Sequence, residues 1–456
     1  MKFENKKRED ILSKLSIATD LEYSSIQIKA MKEELKKISC TSLNFEKINK
    51  KEEELTFLSE FLLTTEEVYL RLVNFRKESL LYLTSLDKKT RRNSYRKSIN
   101  LYIKNKELID YLMIKNIKDK NSATNKIFEK SYRDCVLEED NFSVSAFNTF
   151  VECIYQSFNI SQSMIKLEIL KKNTSRLLWE DVFYYPVNLN YDFIKINIRE
   201  LILEFSSVLG NPVKNSIQAL FDNNNIYFKN DIITPYTMKF HLELPIIVTN
   251  KISTFDDLVN LVHELGHAIF NIFYKETDIV NNLIFDESFA IYFEILFYQF
   301  LLNKHVEDTE RISFLESYRI ERMRGLIYRQ NIVTEMEIAI DAGDNDLENI
   351  YTRSLKHYFG NDVFYNIYSR NEYLSNSHIF DPYYSYKYSV GAILAIHYSL
   401  NSENINNINT FLSNSVIDIE NCQYIYQSLD QISYWINDFK KKWVIAYPGQ
   451  KKLNNK

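Results

Sequence analysis

A mainly α-helical fold with one small β-sheet (α+β) is what this sequence predicts, and three observations carry that expectation. Glycine and proline number only 7 and 6 in 456 residues, so tight turns are few and long helices are favoured over a many-stranded sheet. Apolar residues recur at helical spacing through most of the chain. One stretch, "IYFKNDIITPYTMKFHLELPIIVTN" (226–250), breaks the rhythm with β-branched and alternating residues and is the one convincing strand region.

Taken in order, residues 1 to about 80 read as amphipathic helices, in "DILSKLSIATDL", "SSIQIKAMKEELKKI" and "EEELTFLSEFLLTTEEVYLRLVNF". Long, charged helices follow from about 88 to 180, with a break expected near "EEDNFSVSAF". "EDVFYYPVNLNY" (180–191) reads as an irregular connector punctuated by Pro186, and 197–224 as a helix pair around a "GNP" turn. Pro235 and Pro245 confine at least part of the strand region to a sheet edge. Helices are then expected at 255–275, 286–303, 309–340, 346–358, 382–399 and 428–443, before a disordered tail. The expected division is an N-terminal helical segment (1–80), a second helical region (81–180), a domain carrying the chemistry (181–445) and the tail (446–456).

A formal charge of −5 with only local basic clusters, such as "KKTRRNSYRK" (88–97), gives no sign of a nucleic-acid protein, and no nucleic-acid partner is expected. Cys40, Cys135, Cys153 and Cys422 form no CxxC pair and no disulfide framework, which suits a reducing compartment. The charged N-terminus lacks a signal-peptide core, and even "FAIYFEILFYQFLL" is cut by Glu294 and Gln299. A cytoplasmic protein with no membrane partner is therefore expected.

The chemistry sits in "STFDDLVNLVHELGHAIF" (253–270). Thr254, with Asp257 three residues on, is a helix-start signal, and Leu258, Leu261, Val262, Leu265 and Ile269 form an apolar stripe. His263 and His267, at i and i+4, then project from one face, where two imidazoles can hold a single Zn²⁺. Glu264 lies beside them, close to the metal but off its face, and is suited to take a proton from the activated water. A lone histidine on a helix is usually structural. With only seven histidines, though, chance places HExxH in such a chain on the order of once in a hundred tries.

A hydrolytic zinc site needs three protein ligands and an open position. Glu287, in "FDESFAIYFEILF", is the candidate third ligand, and Glu294 lies two turns further along the same face. Buried carboxylates need partners. Zinc for Glu287, and a ligating histidine's N–H for Glu294, would satisfy both. The competing reading makes Glu287 a helix-start residue favoured by the dipole.

At this point the residues resemble the oligoendopeptidase F branch of the thimet oligopeptidase family of zinc metallopeptidases. "LVHELGHAIF" is similar to that family's zinc helix, and "ESFAIYFE" to the segment carrying its third ligand. "RMRGLIYRQNIVTEMEIAI" (322–340) and "HIFDPYYSYKYSVGAILA" (378–395) resemble two further motifs in the same order. The resemblance runs from about residue 85 to 440 and is strongest after 180. It implies a thermolysin-like zinc core in a large helical fold, with a deep substrate channel covered by 81–180 and one Zn²⁺ per chain. Its ligands would be His263, His267 and Glu287, its general base Glu264. The resemblance also puts His378, Tyr384 and Tyr388 where the family binds substrate and stabilises the transition state. Tyr386 is a weaker, substrate-binding candidate, because counting through the tyrosine run differs between subfamilies. Arg324 and Arg329 are expected to pair with acids that brace the zinc helices.

Two departures stand out: the chain is short before residue 180, and the strand ahead of the zinc helix lacks the family's usual glycines. The function expected is hydrolysis of internal bonds in short, unstructured peptides by zinc-activated water with a glutamate base. The departures lend weight to an alternative that stays second to it, maturation of one signalling or leader peptide. A non-catalytic peptide-binding protein on the same scaffold is the remaining reading.

Overall fold

Helices carry most of the computed structural model, which describes residues 87–182, 197–229, 235–240, 243–274, 283–376, 381–401 and 423–446. The helices expected over 1–80, most of the 180–191 connector, and the tail lie outside the described residues. Two compact units divide the rest. One is made of 197–274, and the other of 87–182 with 283–446. No helix among the described residues is long and apolar enough to cross a membrane.

Five helices open the larger unit: α1 (Lys88–Ile103), α2 (Lys106–Phe128), α3 (Tyr132–Glu139), α4 (Val144–Gln156) and α5 (Phe158–Lys171). Asp87, Ser131 and Ser143 cap α1, α3 and α4, each accepting a main-chain N–H of the first turn. The predicted break in "EEDNFSVS" is real. Asn141 takes a left-handed φ of 52°, which asparagine tolerates better than most, and Ser143 then starts α4. Along α4, Ala146, Phe147, Phe150, Cys153 and Ile154 are buried at helical spacing. Strand β1 (Leu177–Leu178) closes this part of the chain.

The smaller unit begins with the expected pair, α6 (Ile198–Val208) and α7 (Asn211–Asp222), joined at Gly210, whose φ of 103° suits glycine. Pro212 falls in the first turn of α7, where its missing N–H costs nothing. Strands β2 (Ile226–Lys229), β3 (Tyr236–Met238) and β4 (Ile246–Asn250) follow, in the order β2-β4-β3. Strand β4 is parallel to β2 and antiparallel to β3, with Thr237 opposite Ile247. Pro235 precedes the edge strand β3, as expected, but Pro245 immediately precedes the central strand. A proline just ahead of a strand withdraws no hydrogen bond from the ladder. Helix α8 (Phe255–Tyr274) completes the unit and packs on β3 and β4.

The larger unit resumes with α9 (Leu283–Lys304), whose residues from Ile284 to Tyr298 are buried without a break. Buried on all sides, it is a core helix rather than an amphipathic one. The single helix expected over 309–340 is instead α10 (Thr309–Arg324), a π-turn at Gly325–Arg329, and α11 (Gln330–Asp341). The Ser389 hydroxyl lies 3.2 Å and 3.0 Å from the Leu326 and Ile327 carbonyls, and so serves the oxygens that the widened turn loosens. Then come α12 (Leu347–Phe359), strand β5 (Val363–Phe364), the short α13 (Ile367–Arg370), α14 (Ser385–Asn401) and α15 (Gln423–Ala446). Helix α14 packs along α9, and β5 pairs in parallel with β1. That second, two-residue sheet was not expected; such short strands are too brief for alternation to register.

Candidate active site

Helix α8 starts on a capping box, which sets the register of all that follows. Thr254 Oγ1 accepts the Asp257 N–H at 3.1 Å, and Asp257 Oδ2 accepts the N–H groups of Ser253 and Thr254 at 3.0 and 2.8 Å. From that start, His263 and His267 fall one turn apart. Both are buried, their Nε2 atoms 3.1 Å apart and their ring planes 85° apart. Two nitrogens bound to one tetrahedral ion at about 2.0–2.1 Å lie about 3.3 Å apart. The two rings thus hold close to the spacing that a single metal ion asks for.

The sheet supplies a contact to the residue between them. Thr237, on β3, has its hydroxyl 2.7 Å from Glu264 Oε2 and 2.9 Å from the Glu264 carbonyl. Its neighbours Tyr236 and Met238 pack instead on Phe240, Ile246 and Val248, as strand alternation requires. Sequence reasoning missed Thr237. Alternation separates it from Tyr236 and Met238, but only the folded unit brings β3 beside α8.

In the larger unit, Glu287 is buried in the first turns of α9 and its Oε1 accepts the Tyr384 hydroxyl at 2.9 Å. The Glu287 charge, and then burial, raises the Tyr384 pKa well above the usual phenol value, so this tyrosine is held as an O–H donor. Tyr388 lies one turn on, its ring edge-on to Tyr384 at 5.5 Å. Gly391 lets α14 approach: an added Cβ would sit 3.2 Å from both Glu287 Cβ and the Ser288 nitrogen. Just before this helix Tyr383 has a left-handed φ of 62°. Nearby Glu337, another residue the sequence did not single out, has its pKa pushed well up by burial, with Asp381 and Asp341 adding to the rise and the Tyr383 N–H opposing it.

Three expectations change. Tyr386 is fully buried, stacked on Phe142 and bonded to Asp140, so it is a core residue rather than a substrate contact. It sits two residues from both Tyr384 and Tyr388, which turns it to another side of the helix. The fully buried Glu294 receives a bidentate pair from Arg322, Nε at 3.0 Å and Nη2 at 2.9 Å. Arg322 is therefore the brace on α9, whereas Arg324 pairs with Glu321 and Arg329 with Glu372. His378 lies outside the described residues.

Comparison with known proteins points in one direction. No family model matches the chain. It is 22% identical over 276 residues to an oligoendopeptidase F homolog of Lactococcus lactis subsp. lactis, covering 57% of this chain and 46% of the relative. The chain thus spans about half the length of that curated relative. Among solved structures, a putative peptidase from Chlamydophila abortus superposes with a TM-score of 0.67 at 15% identity, over 91% of this chain and 77% of the other. Oligoendopeptidase-F from Enterococcus faecium gives 0.61 at 14% identity, over 96% and 90%. These likenesses establish the fold.

Proposed function

From a chain that is oligoendopeptidase F-like in sequence and fold, we propose a zinc-dependent metalloendopeptidase that hydrolyses internal bonds of short, unstructured peptides. The observation that carries the reading is the pair His263 and His267, with Nε2 atoms 3.1 Å apart and Glu264 between them in the helix. Glu287 supplies the third ligand, as the resemblance of "ESFAIYFE" to the family's third-ligand segment implies. Two imidazoles and one carboxylate, with a position left open, suit a catalytic zinc.

Zinc bound there would polarise the scissile carbonyl and make the attacking water more acidic. The remaining work falls to the chain. Glu264 takes a proton from the water while the water oxygen bonds to the carbonyl carbon. It then delivers that proton to the amide nitrogen as the C–N bond breaks. Tyr388, with His378, donates to the tetrahedral oxyanion, and Tyr384 turns its one O–H from Glu287 to that oxyanion as it forms. Edge strand β3 would take the peptide backbone, and 81–180 would cover the channel over a catalytic domain at 181–445.

The test is mass spectrometry of a mixed library of 6- to 20-residue peptides. It is incubated with wild type and with Glu264→Gln, each with and without chelator. Cleavage lost in both the variant and the chelated sample supports the reading. Cleavage that survives Glu264→Gln sinks it. The number of peptides cut separates general degradation, with many, from maturation of one peptide, with few.

A further inference from the structure

The Thr237 hydroxyl touches no predicted ligand; it touches the proposed base. Its oxygen lies within hydrogen-bond reach of two acceptors of one residue, Glu264 Oε2 at 2.7 Å and the Glu264 main-chain carbonyl at 2.9 Å. A threonine hydroxyl has one proton to give and lone pairs to receive. Facing a carboxylate, it donates to Oε2.

We propose that Thr237 is a positioning residue for Glu264: it ties Oε2 and leaves Oε1 as the oxygen that exchanges the proton with water and the departing amine. This rests on the peptidase reading above. Two features of the fold favour it. Thr237 is anchored by its β3 pairing with Ile247 of the central strand, so its hydroxyl is held by a sheet rather than a loop. The capping box fixes the start of α8, so the helix presents Glu264 to the strand at a set register. A carboxylate tied at Oε2 loses less freedom when the water arrives, which belongs to the chemical step and not to peptide binding.

The experiment compares wild type, Thr237→Val, Thr237→Ser, Glu264→Gln and the Thr237→Val/Glu264→Gln double variant, each loaded with zinc, on one peptide from the cut list. Thermal midpoint and bound zinc are measured alongside. Thr237→Val keeps the shape and removes the hydroxyl. Its kcat should fall roughly tenfold with KM within about twofold, and with midpoint and zinc content at wild-type values. Thr237→Ser should restore most of the rate, and the double variant should be no slower than Glu264→Gln alone. An unchanged kcat in Thr237→Val overturns the proposal. So does a rate loss that follows the thermal midpoint and is not restored by serine, because the role is then structural. If valine prevents folding, Thr237→Ala is read in its place by the same criteria. A zinc-loaded wild type that cleaves nothing overturns the peptidase reading and this proposal with it. That outcome is distinguished from failure of the proposal alone by the inactivity of wild type.

Discussion

Removing one oxygen atom, in Tyr384→Phe, separates what that hydroxyl does for Glu287 from what the ring does for packing. The hydroxyl donates to Glu287 Oε1 at 2.9 Å, and groups that orient a ligand in this way change metal affinity by roughly 10–100-fold when removed. Zinc affinity of Tyr384→Phe, measured by competition with a chromogenic chelator, should fall within that span with the helical circular dichroism unchanged. Glu337 makes a prediction about pH. A carboxyl whose pKa is raised by folding binds its proton more tightly when folded. Stability is then full below about pH 4 and declines as pH rises from there toward the raised native value. Glu337→Gln cannot ionise, so denaturant midpoints measured across that range should decline less steeply than in wild type. At this scale the sequence was informative where spacing encodes chemistry, as in His263, Glu264 and His267. It was uninformative for Tyr386, because a tyrosine turned into the core and one turned toward a site look alike in a run of tyrosines.

Elements here are set by their ends and by the places where two of them nearly touch. Asp257 alone meets both N–H groups and both hydroxyls of Ser253 and Thr254. Asp257→Ala should cost about 1–2 kcal/mol of stability, measured by urea unfolding, and its largest local loss of amide protection should lie in the first turn of α8. Gly391→Ala places a Cβ 3.2 Å from the Glu287 Cβ and the Ser288 nitrogen. Since main chain cannot yield as a flexible side chain does, the overpacking should cost about 1–3 kcal/mol and weaken zinc binding as well. Calorimetry with and without zinc reads both effects. The capping box of α8 was legible because it is local. The π-turn at 325–329 was not, since its carbonyls are served by Ser389, some sixty residues further along the chain.

For the whole molecule, the proposed metal set draws on two successive helices rather than one, and its occupancy is therefore coupled to folding. A ligand that binds only the folded chain adds about 2.7 kcal/mol of stability at a concentration one hundred times its Kd. Zinc should accordingly raise the thermal midpoint of wild type, chelator should lower it, and His263→Ala should respond to neither. Scanning calorimetry with metal and chelator series checks this.

What the sequence determined by itself is local and periodic. The helical character, the 226–250 strand region, the start of α8, and the i, i+4 histidines flanking a glutamate all follow from spacings within one or two turns or one strand. What only the tertiary structure decided is which distant residues meet. Thr237 reaches Glu264, Tyr384 reaches Glu287, and Arg322 rather than Arg324 or Arg329 takes Glu294. Gly391 is required because two helices approach at that point. The reason is physical: a helix or a cap is stabilised by neighbours along the chain, so its cause can be read in place. A hydrogen bond between distant segments depends on register and packing that no short window of sequence contains.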